Sequence, residues 1–450
     1  QDDCMKLETS PSSKERVSAL QRKLYLKAKH QPIFRFYSLY DKVYRSDVLQ
    51  HAYDLVRQNR GSPGLDRETF ETIEAGKGRG AYIQELQETL QAETYQAQPV
   101  KRVEIPKANG ETRPLGIPCI KDRIVQMAVK LIIEPIFEAD FSPHSYGFRP
   151  QRSAHHAMDD ITTGLLKGHV QVIDADLSKY FDMIPHDKLL KTVAERISDG
   201  TLLSLIKQWL KVVVIKEERG KRTHVGGGKK GRKGTPQGGV ISPLLANIYL
   251  NILDRIWERH KLAEKHKARL VRYADDMVIL CARDTTVPYA ILQTILGKLE
   301  LQLNKEKTQI RDSREEKFGF LGFSIGSVKS KKSGKRFPMI EPSDKSMQAI
   351  KQKIKHYTRR EMNPVPIEDI VGKLNQTVRG WSNYFRYGHS HRKMKKIKYY
   401  TEESLRLHLR YRHKINNRGA AYTRFPRRFI YDHLGLYIVP TTPAWKGAHA

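Results

Sequence analysis

Two adjacent carboxylates, Asp275 and Asp276, stand inside Arg272-Tyr-Ala-Asp-Asp-Met277. Apolar residues flank them: Leu270 and Val271 before, Val278, Ile279 and Leu280 after. Neighbouring carboxylates repel one another and give up hydration, so they suit a site that takes up divalent cations. The flanking runs predict a buried β-hairpin with the acids at its tip. Successive side chains of a straight strand point to opposite faces, so both acids serve one site only where the chain bends, and Ala274 is small enough to allow that bend. An exposed Asp-Asp turn is the plain alternative. A second pair, Asp174 and Asp176, follows Val172 and Ile173 in what reads as a buried strand, with a helix at about 186 to 197. A carboxylate at the end of a buried strand is costly unless paired or metal-bound. Strand alternation puts Asp174 and Asp176 on one face, so spacing does not choose between them.

The elements that must position these acids follow from periodicity. Residues 15 to 60 recur apolar at helical spacing, then Arg60-Gly-Ser-Pro-Gly-Leu-Asp66 breaks the pattern as a shaped loop. A helix at 80 to 95 precedes a hairpin from Val100 to Ile117, turning at Lys107-Ala-Asn-Gly110 with Arg113 just beyond. Residues 124 to 137 read as a helix stopped near Pro135, and Ser145-Tyr-Gly-Phe-Arg-Pro150 as a turn. Residues 216 to 234 form a basic hairpin or loop. Gly234-Thr-Pro-Gln-Gly-Gly239 comes next, ahead of a helix at 241 to 253, where glycines let backbone N–H groups approach a phosphate or a base pair. Beyond the acidic hairpin come a helix at 287 to 303 ending at Asn304, then Lys305-Glu-Lys-Thr308, then a tight strand or turn at Phe318-Gly-Phe-Leu-Gly-Phe323. A charge-dense linker at 329 to 336 leads to helices at 344 to 360 and 366 to 387, the second ending in Arg379-Gly-Trp-Ser-Asn-Tyr-Phe-Arg-Tyr387.

The 450 residues allow about three domains. Lys+Arg 81 against Asp+Glu 49 gives a formal charge of +32, a self-repulsion that a polyanionic partner relieves. Fourteen Lys or Arg between Arg386 and Arg428 face two acids, with tyrosines and phenylalanines interleaved. Cations for phosphates and rings for bases make that stretch an RNA-binding surface. No apolar run has transmembrane length and no basic-then-apolar signal opens the chain, so no membrane partner is expected. Cys4, Cys119 and Cys281 lie far apart without Cys-x-x-Cys spacing, which argues against a zinc module and a disulfide framework and predicts a reducing compartment.

In this order the motifs resemble the palm of a reverse transcriptase, and more closely the group II intron-encoded reverse transcriptase/maturase proteins. The residues that carry the resemblance are Ile105-Pro-Lys-x-x-Gly-x-x-Arg-Pro-Leu-Gly-Ile117, Ser145-Tyr-Gly-Phe-Arg-Pro150, Asp176 with Phe181, Thr235-Pro-Gln-Gly238, Arg272-Tyr-Ala-Asp-Asp276, Asn304-x-x-Lys-Thr308 and Arg379-Gly-Trp-x-Asn-Tyr-Phe385. It covers about residues 45 to 390 and implies an α+β, right-hand polymerase with fingers, a palm with an antiparallel sheet and a helical thumb/maturase domain. The implied division is a flexible lead 1–35, a fingers extension 36–98, fingers 99–170, palm 171–328 with a basic insertion 216–234, thumb 329–400, and a basic, DNA-binding tail 401–450.

The resemblance selects Asp176 over Asp174. It makes Asp176, Asp275 and Asp276 the catalytic ligands of two Mg²⁺ ions, or Mn²⁺ in their place, about 3.5 to 4 Å apart, for in-line displacement of pyrophosphate by a primer 3′-OH. It implies nucleotide contacts from Lys107, Arg113, Phe181 (a steric gate against a 2′-OH), Gln237 and Lys307. Template or primer contacts are implied for Arg60, Gly61, Gly64, Tyr146, Arg149, Gly238, Gly239, Tyr273, Phe320, Leu321 and Gly322. RNA contacts fall to Arg379, Trp381, Tyr384, Arg386, Arg392, Lys393, Lys395 and Lys396. The implied partners are structured group II intron RNA, an RNA template with a DNA primer, dNTPs and target DNA, in a bacterial cytoplasm or an organelle, as monomer or dimer. Many relatives end in a zinc-bound His/Asn/Cys nuclease; no Cys follows Cys281, so that module is not expected. Two further functions stay open: a domesticated enzyme of defence, CRISPR spacer acquisition or repair, and a splicing-only RNA-binding maturase.

Overall fold

The computed structural model describes residues 12–106, 110, 112–228 and 230–442. Lys107 and Cys4 lie outside the described residues. Ser12 opens the first helix, Ser13–His30: its hydroxyl accepts from the Glu15 N–H at 3.3 Å, and Glu15 accepts from the Ser12 N–H at 2.7 Å. Val17, Leu24 and Ala28 are buried on this helix, which packs on the Ile120–Glu138 and Ser46–Gln58 helices. Residues 13 to 30 therefore belong to the folded body, not to a flexible lead, because their apolar stripe has a surface to cover. The Ile120–Glu138 helix runs through Pro135, where a stop was expected. Proline removes one helical hydrogen bond; the Leu131 carbonyl left without it accepts from Gln21 Nε2 of the first helix at 3.0 Å.

The expected hairpin forms as β1 (Val100–Pro106) and β2 (Thr112–Ile117). After the Ala154–Leu166 helix comes β3 (Gln171–Ala175). The basic stretch builds β4 (Val214–Glu218) and β5 (Lys221–Gly226). Because β4 pairs in parallel with β1, the sheet order is β2-β1-β4-β5. The basic hairpin thus extends the fingers sheet instead of standing as an insertion on the palm. The acidic motif lies between β6 (Ala268–Tyr273) and β7 (Asp276–Cys281), and with β8 (Gln309–Asp312) they form the antiparallel palm sheet β6-β7-β3-β8. Alternate residues of β7 face two cores. Met277, Ile279 and Cys281 join one core with most of the fingers and palm helices, whereas Val278 and Leu280 join a second core shared by the Ala154–Leu166 helix and the thumb. A sheet covered on both faces explains an unbroken apolar run where one-sided burial would alternate.

The helix after β7 covers Thr286–Lys298, shorter than the expected 287 to 303. It ends where Glu300 turns to φ +55 and the Leu301 N–H returns to Leu296 O at 2.9 Å. The strands β9 (Phe318–Phe320), β10 (Phe323–Lys329) and β11 (Arg336–Pro342) form a third sheet. The expected linker at 329 to 336 is the turn of the β10–β11 hairpin, so a palm–thumb boundary at 328/329 divides paired strands. The thumb helices Asp344–Thr358 and Ile367–Phe385 occur as expected. His391–Arg412 then crosses the 400/401 boundary, and Phe425, Ile430, Leu436 and Val439 are buried in the thumb core. Residues 401 to 439 are therefore part of the thumb body rather than a separate tail.

Candidate active site

Within the palm, Ala175 of β3 lies opposite Met277 and Asp174 opposite Val278. One step beyond β3 the chain brings Asp176 alongside Asp276, while Asp174 stays inside the sheet between Val278 and Gln309. The β6–β7 turn consists of Ala274 and Asp275, with Tyr273 paired to Asp276. Ala274 adopts φ +57, as two-residue hairpins of this kind require. Neighbours hold it there. Arg272 Nη1 donates to Ala274 O at 2.8 Å, and a Cβ on Gly147 would stand 2.4 Å from the Ala274 nitrogen, so only glycine allows this approach. Arg272 is fully buried. Its Nε donates to Asp254 Oδ2 at 3.0 Å, its Nη2 to the same oxygen at 2.5 Å, and its Nη1 to Asn247 Oδ1 at 3.0 Å. The sequence pattern assigns no role to Arg272, Asp254 or Asn247. Arg272 opens the motif, but nothing local links it to a helix residue eighteen positions earlier.

The carboxylates share one electrostatic field. Surrounding protein strips hydration from the Asp276 carboxyl, and Asp275, Asp176 and Asp174 add negative charge. Together they push it up to about 6, against the pull of Lys307. Asp275 is raised by burial and by Asp176, with Arg113 and Arg272 opposing. Burial first, then Asp176, pushes Asp174 up to about 6. Among the described residues no group of three or more His, Cys, Asp or Glu side chains is assembled to hold a metal ion by itself. The donor set nonetheless fits hard cations: all oxygens, with more negative charge than Lys307 offsets at 3.4 Å from Asp176 Oδ2.

Asn304-x-x-Lys-Thr308 acts as a unit. Asn304 N–H donates to Asp176 O at 2.8 Å, and the Asp176 N–H points to Thr308 Oγ1 at 3.4 Å. Asn304 Oδ1 accepts from the Glu306 and Lys307 N–H groups at 3.1 and 3.3 Å, and this turn presents Lys307 to Asp176. On the fingers side, Gly116 N–H donates to Gln237 O at 2.5 Å, and Arg113 Nε donates to Gln237 Oε1 at 3.0 Å. Gln237 Nε2 reaches Asp182 Oδ1 at 3.5 Å. Gly238 sits at φ +107, where a Cβ would be 2.3 Å from Gly116 O; Gly239 is buried against Ser242. Phe181 is half-buried, and its carbonyl accepts from the Thr235 N–H at 2.7 Å. Arg113, Gln237 and Phe181 are thus tied together beside the acids.

Other expected contact residues take structural places. Tyr146 is buried and donates its hydroxyl to Asp160 at 2.7 Å. Arg149 is buried too, bonded to Glu138 at 2.9 Å and to the Ser142 and Ser145 carbonyls at 2.6 and 2.7 Å. Both brace the segment on which the acidic tip rests, so the expected template or primer contacts are corrected for them. Phe320 is likewise core. Leu321 and Gly322, at φ +49 and +81, turn the β9–β10 hairpin. Tyr384 is half-buried and donates its hydroxyl to Leu321 O at 3.0 Å, which ties this turn to the thumb. Trp381 packs on Phe385 with ring centroids 5.0 Å apart. Arg379, Arg392, Lys395 and Lys396 are exposed, Arg386 is half-buried, and Lys393 pairs with Asp344. Arg60 is exposed and Tyr273 half-buried. Gly61 and Gly64 are set by packing, since their Cβ atoms would come within 2.7 Å of Arg123 and 2.8 Å of Cys119.

An antiparallel sheet with acids at one hairpin tip and at the end of the adjoining strand, faced by a second sheet and closed by a helical thumb, defines a right-hand nucleic-acid polymerase. Residues 105–325 match the reverse transcriptase (RNA-dependent DNA polymerase) family, and residues 347–426 match the group II intron, maturase-specific domain. Protein YkfC of Escherichia coli (strain K12) is 34% identical over 367 residues, 73% of this chain and 93% of that protein. Group II intron-encoded protein LtrA of Lactococcus lactis subsp. cremoris is 27% identical over 465 residues, 84% of this chain and 75% of that protein. Among solved structures, a chain of a partial Cas6-RT-Cas1--Cas2 complex aligns at 22% identity and a TM-score of 0.35, covering 58% of this chain and 42% of that one. The chain belongs to the group II intron-encoded reverse transcriptase/maturase family, and its enzyme class is RNA-directed DNA polymerase.

Proposed function

We propose that this polymerase binds structured group II intron RNA, assists its splicing, and copies it from a DNA primer at a target site in the cytoplasm of a bacterium. The observation that carries this reading is the meeting of Asp176 with the Asp275-Asp276 tip, in one chain with a maturase-specific thumb. Asp176, Asp275 and Asp276 would hold two divalent cations, Mg²⁺ or Mn²⁺. Such ions lower the pKa of a primer 3′-OH and neutralise charge on departing pyrophosphate. The remaining work falls to this chain's side chains. Arg113, aimed by Gln237, faces the triphosphate as a forked donor. Lys107 adds a second cation for the triphosphate, and Lys307 approaches from the Asp176 side. Phe181 lies beneath the sugar and excludes a 2′-OH. Gly238, Gly239, Tyr273, Leu321, Gly322 and the Arg60–Gly64 loop border the template and primer, and Arg379, Arg386, Arg392, Lys395 and Lys396 hold RNA phosphates.

Primer extension on an RNA strand with Mg²⁺ tests the polymerase half. Asp275→Ala is expected to abolish cDNA synthesis and leave splicing assistance largely intact. Equal loss of splicing, with RNA binding unchanged, would overturn the two-role reading.

A further inference from the structure

On the thumb, remote in sequence from every residue assigned above to polymerisation, a cavity of about 610 Å³ opens between the end of the Asp344–Thr358 helix, the His391–Arg412 helix and the Arg418–Arg424 helix. Its size falls within the about 300 to 1,000 Å³ of pockets that take small ligands. Lys355, Arg360 and Arg410 line it and have no acidic ion-pair partner among the described residues. Tyr400, Tyr411 and Tyr422 supply rings, and Leu407 an apolar surface that is 44% exposed. Glu403 is the one acid of the lining among the described residues. It is already taken by Arg406, by Arg418 Nη2 at 3.1 Å and by the Tyr422 hydroxyl. The Arg360 guanidinium carbon stands 4.0 Å from the Tyr411 ring centroid, so a planar cation already occupies the stacking position beside that ring.

A concave site with flat rings, unneutralised cations and a spent carboxylate has the chemistry for one nucleotide unit: a base to stack and a phosphate to neutralise. A paired base cannot enter, because its faces are covered by its neighbours in the helix. We propose that this pocket receives a single unpaired nucleotide extruded from bound RNA, with the base against Tyr411 in place of the Arg360 guanidinium and the phosphate held by Arg360 and Lys355. The proposal rests on the reading that the chain binds structured RNA and adds a discrete subsite to it.

Fluorescence anisotropy on the full chain compares a labelled RNA hairpin carrying one bulged adenosine with the same hairpin fully paired. The bulged hairpin is expected to bind about tenfold more tightly. Tyr411→Ala and, separately, the surface change Arg360→Gln should erase that margin, Tyr411→Phe should keep it, and all three should extend a primer at the unaltered rate. Equal binding of the two hairpins by the unaltered chain overturns the proposal, as does a margin that survives both Tyr411→Ala and Arg360→Gln. Erasure of the margin by micromolar AMP overturns the RNA assignment in favour of a free-nucleotide site. Should the pocket fail in this way, intact primer extension leaves the polymerase standing; failure of the unaltered chain to bind either hairpin would instead remove the function beneath it.

Discussion

Asp276 and Asp174 carry carboxyls pushed up to about 6 from an ordinary 3.8. A carboxylate raised on folding contributes stability that is fully present below its ordinary value and is lost as pH rises through its folded value. Between about pH 4 and pH 6 the metal-free protein therefore loses stability from these two groups, and cations that favour the charged form reverse the loss. Asp276→Asn removes one of them. In EDTA at pH 7.5 its melting temperature is expected to exceed that of the unaltered protein, with the gap closing toward pH 4, while nucleotide incorporation falls to background. Scanning fluorimetry across that range checks the sign. Arg272 presents the opposite case, a buried cation with every partner in place. Arg272→Met leaves Asp254 buried without a counter-charge and is expected to cost about 3 to 5 kcal/mol in urea unfolding. Adding Asp254→Leu should recover part of that loss, since the uncompensated charge is then gone.

Elements place the acids more finely than residues alone. The β6–β7 tip is held by a positive-φ alanine, by Arg272 from beneath, and by the backbone at Gly147, which leaves no room for a Cβ. Gly147→Ala should displace the tip without touching a carboxylate. A misplacement of about 1 Å costs on the order of 10²-fold in rate. The expected result is therefore a large fall in kcat with RNA affinity unchanged, read by single-turnover extension alongside filter binding. The Asn304–Thr308 turn performs the matching task for β3, holding the main chain of Asp176 from both sides.

At the scale of the whole molecule, the palm sheet is the partition between two cores, with most of the fingers and palm helices on one face and the Ala154–Leu166 helix together with the thumb on the other. No helix among the described residues is long and apolar enough to cross a membrane. Ending the chain at residue 400 would cut the His391–Arg412 helix and strip Leu405, Leu409, Phe425, Ile430, Leu436 and Val439 from the thumb core. At about 1.5 to 3 kcal/mol for each buried side chain, the loss is on the order of 10 kcal/mol, as large as the whole stability of a typical domain. Limited proteolysis should show the thumb of this truncation digested while the palm survives.

Local pattern determined a good deal unaided. The acidic hairpin, the Val100–Ile117 hairpin and the two thumb helices after residue 343 were all legible, because turn residues and apolar period are properties of neighbouring positions. So was the polymerase class, carried by motifs in a set order. The rest depended on partners distant along the chain. Alternation left Asp174 and Asp176 equivalent, and the pairing of β3 with β7 put the second at the tip and the first inside the sheet. Pro135 reads as a stop, yet the helix continues because Gln21 satisfies the carbonyl that proline leaves open. Tyr146 and Arg149 carry polar groups suited to nucleic acid, but folding spends them on Asp160 and Glu138. Periodicity records which face of an element is apolar; which surface covers that face, and which polar groups are thereby consumed, is decided only when distant segments pack.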